Sequence, residues 1–370
     1  MQNAEDIVQE DLKYITNNLK EEFSLIARKK LLIIGGAGFL GYYLVQSILH
    51  WNDNSSEKDQ ISLTVYDNYI RGIPEWLSNL EGHPTLTLSK HDITEPLPEN
   101  IDDFQYIIHA ASIASPTYYR KFPIETMDAN VNGLRYLLDY CLKQKDKGTR
   151  VEGFLFYSTS EIYGDPTPEN IPTPETYRGN VSCTGPRACY DESKRYGETL
   201  CVNFSDQHGL PIKIARPFNN YGPGLKISDK RVLPDFANNV LNNNDIVMLS
   251  DGKPTRTFCY IADAIVGYYK ILTKGQAGES YNIGTETPEI DMNELATRVV
   301  ETAKELFGYQ GKVIYQESSD KEYLVDNPNR RCPIIKKAAD HLGYQPTITV
   351  DEGLKRALIW YKSNNKSEDA

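Results

Sequence analysis

Between Lys29 and Asn220 the chain alternates short apolar runs with longer stretches of mixed polarity. LLIIG (31–35), ISLTVYD (61–67), LTLSKHD (86–92), YIIHAAS (106–112), VEGFLFYSTS (151–160) and IKIARPFN (212–219) each have the length and β-branched or aromatic content of a strand. Amphipathic stretches with helical spacing separate them, as around Asn130–Lys143. Strands alternating with helices predict βαβ units, and hence a parallel sheet covered on both faces. After Asn220 the alternation loosens, and 221–260 is rich in Asn, Asp, Gly and Pro. ESYNIG (279–284) adds one more strand. Residues 290–308 form a helix, with Asp291 as N-cap and Glu294 completing a capping box. At the other end, Ile7, Leu12, Ile15, Leu19 and Phe23 fall near one helical face. Because its polar face is acidic, this segment is expected to pack on its own domain or on a neighbouring subunit rather than on a membrane.

These patterns divide the chain into a helical extension (1–28), a sheet domain (29–220, joined by the strand at 279–284), a smaller lobe (221–363) and a polar tail (364–370) expected to be disordered. The 370 residues carry 40 Lys+Arg and 51 Asp+Glu, a net charge of −11. That field argues against nucleic acid and anionic membranes as partners. It leaves room for small anions held by local clusters. No apolar run reaches the ~18 residues of a transmembrane helix, and the acidic N-terminus lacks a signal-peptide core. The six cysteines form no CxxC pair and no metal spacing with the six histidines. A cytoplasmic protein with reduced thiols and no metal is the expectation.

Chemistry enters at the first strand. Gly35-Gly36-Ala37-Gly38-Phe39-Leu40-Gly41 follows it and opens a helix. Glycines there let the backbone turn tightly and approach a pyrophosphate lying against helix N–H groups. Asp67, ending the second strand, suits the ribose hydroxyls of NAD and would repel the 2′-phosphate of NADP. Asp92, after the third, either contacts the adenine or caps a helix. The fold class that follows is α/β: a Rossmann-type doubly wound parallel sheet with a smaller C-terminal substrate-binding lobe. Further on, Tyr190 and Lys194 stand four apart, on one helix face. An ammonium there is expected to lower the tyrosine pKa towards neutrality and make it a base for a sugar hydroxyl. Thr159, at the end of a strand, would hold the same hydroxyl. His109 reads as a packed or cofactor-adjacent histidine rather than a catalyst.

Together the Gly35–Gly41 turn, Asp67, Thr159, Tyr190 and Lys194 resemble the extended short-chain dehydrogenase/reductase family of nucleotide-sugar enzymes, over roughly residues 30–360. Within it the chain most resembles the UDP-glucuronate decarboxylases. The likeness lies in Ser115-Pro116 with Tyr118 and Tyr119, STSEIYGDP (158–166), PETYRGNV (174–181), GPRACYDESKR (185–195), RPFNNYGP (216–223), DGKPTRTF (251–258) and DNPNRRCP (326–333). The resemblance implies an NAD-dependent carbon–carbon lyase, in which Thr159, Tyr190 and Lys194 oxidise C4 of the sugar. Glu161 would be its acid–base group and Arg331 its carboxylate ligand. Asn219 and Arg256 would contact the diphosphate, Arg231 would lie near the nucleotide, and Ser115 and Tyr118 would line the substrate site. It also implies a homodimer formed through two helices. Dehydratases of the family carry Asp-Glu after the threonine. Here the pair is Ser160-Glu161, and a serine is a poor acid for expelling hydroxide. Decarboxylation is favoured on this ground, with a 4,6-dehydratase or 4-epimerase as the alternative and an idle NAD-binding protein last. The chain departs from the decarboxylases at Asp128, where they carry lysine, and at Ser193, where they carry glycine.

Overall fold

A computed structural model describes residues 2–318 and 325–364. The expected disordered tail falls, from residue 365 on, outside the described residues.

Seven strands form the central sheet: β1 (Lys30–Ile34), β2 (Ser62–Asp67), β3 (Leu86–Lys90), β4 (Tyr106–His109), β5 (Gly153–Tyr157), β6 (Ile212–Pro217) and β7 (Ser280–Ile283). Their order across the sheet is β7-β6-β5-β4-β1-β2-β3, and every pairing is parallel. β1 shows why the sheet is covered on both faces. Successive side chains of a strand point to opposite faces. Accordingly Leu31 and Ile33 enter one core cluster and Leu32 and Ile34 the other. The helices Pro123–Asp146 and Ala188–His208 pack together over the second cluster. Phe39–Asp53 and Ile261–Lys274 cover the first.

The N-terminal segment forms two helices, Ala4–Asn18 and Lys20–Ile26. Both contribute to the first cluster. Ala4–Asn18 lies against Phe39–Asp53, Ile261–Lys274 and the C-terminal helix Val350–Asn364. A buried carboxylate fastens it there. Asp11 accepts from Tyr43 Oη and Tyr260 Oη, each at 2.6 Å, and from Arg356 Nη1 at 2.6 Å. Burial raises the Asp11 pKa above the ordinary value, while the two tyrosines and Arg356 pull it back.

Past β6 the chain builds small sheets. Thr255–Arg256 lies between Ile290–Asp291, antiparallel, and Arg330–Arg331, parallel. That register sets Arg331 directly beside Arg256. The expected helix spans Met292–Phe307, with Asp291 capping it through a 2.7 Å bond from Glu294 N. The side chain of Glu294 takes Arg298, one turn along, in place of the reciprocal half of a capping box. Among the described residues no helix is long and apolar enough to cross a membrane.

Candidate active site

Parallel strands place ligands at their carboxyl ends. Here those ends open on a cavity of about 1670 Å³. One half is the glycine turn. Gly35 has φ +83°, and a Cβ there would come within 2.5 Å of Ala111 N, so a side chain is excluded. Gly41 plays a different part from the one expected. It does not line the cavity. A Cβ on it would lie 2.0 Å from Gly36 O, so its role is to let helix and turn touch. Gly38, Phe39 and Leu40 do line the cavity. Gly38 caps the helix without a side chain, which leaves the first helix amides free for an anion. Asp67 also faces the cavity, accepting from Ala37 N at 3.0 Å and Tyr69 N at 2.8 Å. Burial raises its pKa above the usual carboxylate value. Ser112 Oγ and Ser158 Oγ, at the ends of β4 and β5, are buried without partners and belong to cavity-lining residues. A glycine cradle, free helix amides, an acidic strand end and unpaired hydroxyls suit a dinucleotide.

Asp92 lines the same half, but its carboxylate closes a local turn. It accepts from Thr94 N (3.0 Å), Thr94 Oγ1 (2.8 Å) and Asn68 Nδ2 (3.0 Å). No helix follows it, so the cap alternative does not apply. His109 is buried, tilted against Phe156, and pushed down to about 3 by burial and by Lys194, so it is neutral.

The other half gathers on the Ala188–His208 helix and the turn after β5. Thr159 caps the short 3₁₀ turn Ser160–Tyr163 and accepts from Glu161 N at 3.2 Å. Tyr190 is 6% exposed. Burial pushes its pKa up to about 12, against the pull of a hydrogen bond with Thr159 and of Arg231. This corrects the expectation that Lys194 lowers it. Lys194 Nζ donates to Tyr157 O at 2.7 Å and lies 5.8 Å from the Tyr190 ring centroid. Burial also brings Lys194 itself down to about 7. A half-neutral lysine turned towards a carbonyl exerts little pull on the phenol. Tyr119 stacks on Tyr190, centroids 5.1 Å apart and planes 8° apart, and holds the ring.

Glu161 is gripped by two arginines. Arg331 forks onto it through Nη1 (2.5 Å) and Nη2 (2.6 Å), and Arg187 Nη2 reaches Oε2 at 2.5 Å. Burial alone would raise the Glu161 pKa; Arg187 and Arg331 hold it well below the carboxylate range. The sequence reading missed Arg187. The signal was present: it stands three residues before Tyr190 and seven before Lys194, on one helical face. Beside Arg187 lies Asp191, with Oδ1 unpartnered. Burial, then the charge of Glu161, raise its pKa to about 8.

The other expected ligand residues also reach the cavity, yet most have protein partners. Arg256 donates to Thr255 O (2.7 Å), Pro328 O (2.6 Å), Asn329 O (3.3 Å) and Asn327 Oδ1 (3.2 Å). It therefore holds the 327–329 segment through two backbone carbonyls and the Asn327 side chain, and burial lowers its pKa to about 9. Asn219, at φ +40°, donates to Thr257 O at 2.9 Å. Arg231 pairs with Asp229 at 2.8 Å, and Ser115 Oγ donates to Asp229 O at 2.8 Å. The Arg71 guanidinium lies 5.3 Å from the Tyr118 ring centroid. Among the described residues no group of His, Cys, Asp or Glu forms a metal site.

Comparison with known proteins places the chain among nucleotide-sugar enzymes over most of its length. The model of the NAD dependent epimerase/dehydratase family matches residues 31–284. UDP-glucuronic acid decarboxylase 3 of Arabidopsis thaliana is 39% identical over 325 residues, covering 88% of this chain and 86% of the relative. The structure of epimerase Mth375 from Methanothermobacter thermautotrophicus superposes with a TM-score of 0.76 at 25% identity, over 94% of this chain and 96% of the other. DesIV of Streptomyces venezuelae, a dTDP-glucose 4,6-dehydratase solved with NAD bound, shares the fold. Its TM-score is 0.75 at 24% identity, over 90% and 97% of the two chains.

Proposed function

The chain belongs to the NAD dependent epimerase/dehydratase family, and from that premise we propose that it decarboxylates a UDP-glucuronate-like nucleotide sugar by oxidation at C4, loss of CO2 and re-reduction. The observation that carries this reading is the cluster of Arg187, Arg256 and Arg331 around Glu161, next to Tyr190. It is a strongly cationic wall in an acidic protein, suited to an anionic sugar.

A bound NAD would supply the hydride acceptor and donor for C4 and, in its oxidised form, a positive charge in the site. Gly35, Gly38, Phe39, Leu40 and Asp67 would hold it, with Asp92 shaping the adenine end and Gly41 letting the turn close. Tyr190 takes the C4 hydroxyl proton as the phenolate, having first given its own proton to solvent under the added positive charge of bound oxidised NAD and a protonated Lys194, and Thr159 holds that oxygen in line. Lys194, when protonated, contributes charge beside the phenol. Once C4 is a ketone, a carboxylate on C5 is β to it, and its bonding electrons flow into the carbonyl as CO2 departs. Thr159 and Tyr190 then donate to the developing enolate oxygen. Glu161 is the acid–base group for C5, and Arg331 receives the carboxylate. Ser115, Tyr118, Asn219, Arg231 and Arg256 shape the nucleotide and diphosphate end. Ser160, where a dehydratase needs a proton donor, suits decarboxylation.

The named activity of the Arabidopsis thaliana relative supports the same reaction. One observation favours a 4-epimerase as the second reading. Glu125 and Asp128 both line the cavity, and carboxylates there work against a uronate. Incubation of the purified protein with UDP-glucuronate, UDP-glucose, dTDP-glucose and GDP- and CDP-sugars, followed by mass analysis, tests the assignment. Loss of the mass of CO2 is expected. Loss of the mass of water, or an isomer of unchanged mass, would replace it with dehydration or epimerisation.

The same reading includes a cytoplasmic homodimer joined through the helices Pro123–Asp146 and Ala188–His208. Ile124 (64%), Met127 (41%) and Tyr196 (51%), on those helices, are exposed apolar side chains that such an interface would cover. Light scattering at the mass of two chains is the expected result.

A further inference from the structure

The arginines beside Tyr190 are already occupied. Arg331 and Arg187 are 7% and 8% exposed, and Arg331 spends both Nη groups and Arg187 its Nη2 on one carboxylate. That carboxylate is the most open part of the cluster. The Glu161 side chain is 17% exposed, against 8% for Arg331 and 10% for Arg187. An anion entering the cavity therefore meets a negative group first. Yet the cluster has donors in reserve, since the Nε–H of Arg187 and of Arg331 are both buried without a partner. It also has charge in reserve. Arg187 and Arg331 share the ionised Glu161 carboxylate, and Asp191 beside them stays protonated up to about 8.

A glutamate and a uronate present the same group to a guanidinium fork, and one fork edge takes one carboxylate. Resting on the carboxylate-bearing substrate inferred above, we propose that Glu161 is the resident stand-in for that substrate's carboxylate. The incoming sugar takes the Arg331 fork from it, and Arg187 keeps the displaced Glu161 in the cavity. This exchange settles three problems. The arginines remain paired and folded without ligand, avoiding uncompensated buried cations. A neutral sugar has nothing to exchange and leaves the pair closed, so the wall selects for a carboxylate. Glu161, having lost one of its two guanidinium partners, becomes more basic when a carboxylate substrate arrives, which is when an acid–base group is needed.

Equilibrium binding to the NAD-loaded protein tests this, in the Tyr190→Phe background to halt turnover, with UDP-glucuronate and UDP-glucose as probes. Glu161→Gln removes the competing charge and keeps the shape. UDP-glucuronate should then bind at least about 5-fold tighter, while UDP-glucose changes by less than about 2-fold. Unchanged or weaker UDP-glucuronate binding, or equal gains for both sugars, overturns the exchange. If that variant does not fold, calorimetry with Glu161 intact, in two buffers of different ionisation enthalpy near pH 5, replaces it. Proton uptake should accompany UDP-glucuronate and not UDP-glucose. The titrating carboxyl is Glu161, facing Arg187, Arg331, Arg256, Asp191, Tyr119 and Tyr190. Equal uptake for the two sugars refutes the idea. Failure of the exchange is read in these binding ratios, failure of the functional reading in the product masses.

Discussion

The two halves of the cavity are built in opposite ways. The dinucleotide half is one continuous strand–turn–helix unit, Lys30–Asp53, completed by Asp67 from the neighbouring strand. Its groups are backbone amides and glycines, placed by local geometry. The sugar half is assembled from residues 159–161, 187–194, 256 and 331, and its groups are polar and charged side chains that constrain one another. The first half can be lost by one methyl group. The second redistributes charge when a member is changed. The Ala188–His208 helix joins them, presenting Lys194 and Tyr190 near one and, through Arg187 at its N-cap, the other.

Breaking the joint gives the largest expected effect. Tyr190→Phe should lower kcat by about 10²- to 10⁴-fold, the usual size of a general acid–base contribution. NAD affinity should hold, as measured by fluorescence titration. A variant that turns over normally would remove Tyr190 from the chemistry.

Next in size is a control away from the cavity. Asp11 is a long-range cluster like the arginine wall, but without a ligand. Asp11→Ala leaves two buried tyrosine hydroxyls unpaired and Arg356 with Glu352 as its remaining carboxylate. It should cost about 3–5 kcal/mol of unfolding free energy while leaving the kcat of the folded fraction unchanged. A loss of kcat at unchanged stability would tie the N-terminal helices to the site.

The turn can be probed by two alanines. Gly41→Ala drives a methyl into Gly36 O at 2.0 Å and should cost about 1–3 kcal/mol together with NAD binding. Gly38→Ala meets only Gly35 O at 3.3 Å and should keep the melting temperature while weakening NAD. Equal behaviour of the two would blur the distinction between packing and binding glycines.

The last effect is electrostatic and is read as a trend with pH. The unfolded chain releases the Asp191 proton near 3.8, while the folded chain keeps it to about 8, through burial first and Glu161 second. Between those values the folded state binds the extra proton, so this group's contribution to stability falls as pH rises through that window. Asn cannot ionise. Asp191→Asn should therefore gain on the parent as pH goes from about 4 to about 8, as a widening difference in Tm. A constant difference would mean that Asp191 ionises freely and that the cluster holds less net positive charge.

Legibility follows the same division. Strand spacing, the glycine turn, Asp67 and the Tyr190–Lys194 pair are local patterns, and the sequence contained them in full. Gly41 was found, but its contact with Gly36 was not visible in spacing alone. Arg331 stood out by resemblance, whereas its fork onto Glu161 spans 170 residues. Arg187 went unnoticed beside a pair it accompanies on the same face. The protonation of Tyr190 and Lys194 was misjudged because the sequence supplied a neighbour and the fold supplied burial, which outweighs it.

By itself, then, the sequence determined the parallel sheet, the place of the dinucleotide turn and the helix that bears the tyrosine, since each depends on residues a few positions apart. Only the tertiary structure decided which arginines are free, which carboxyls are charged and how Arg256 and Arg331 come to stand side by side. Those outcomes depend on burial and on register between distant strands, and both exist only once the chain has closed on itself.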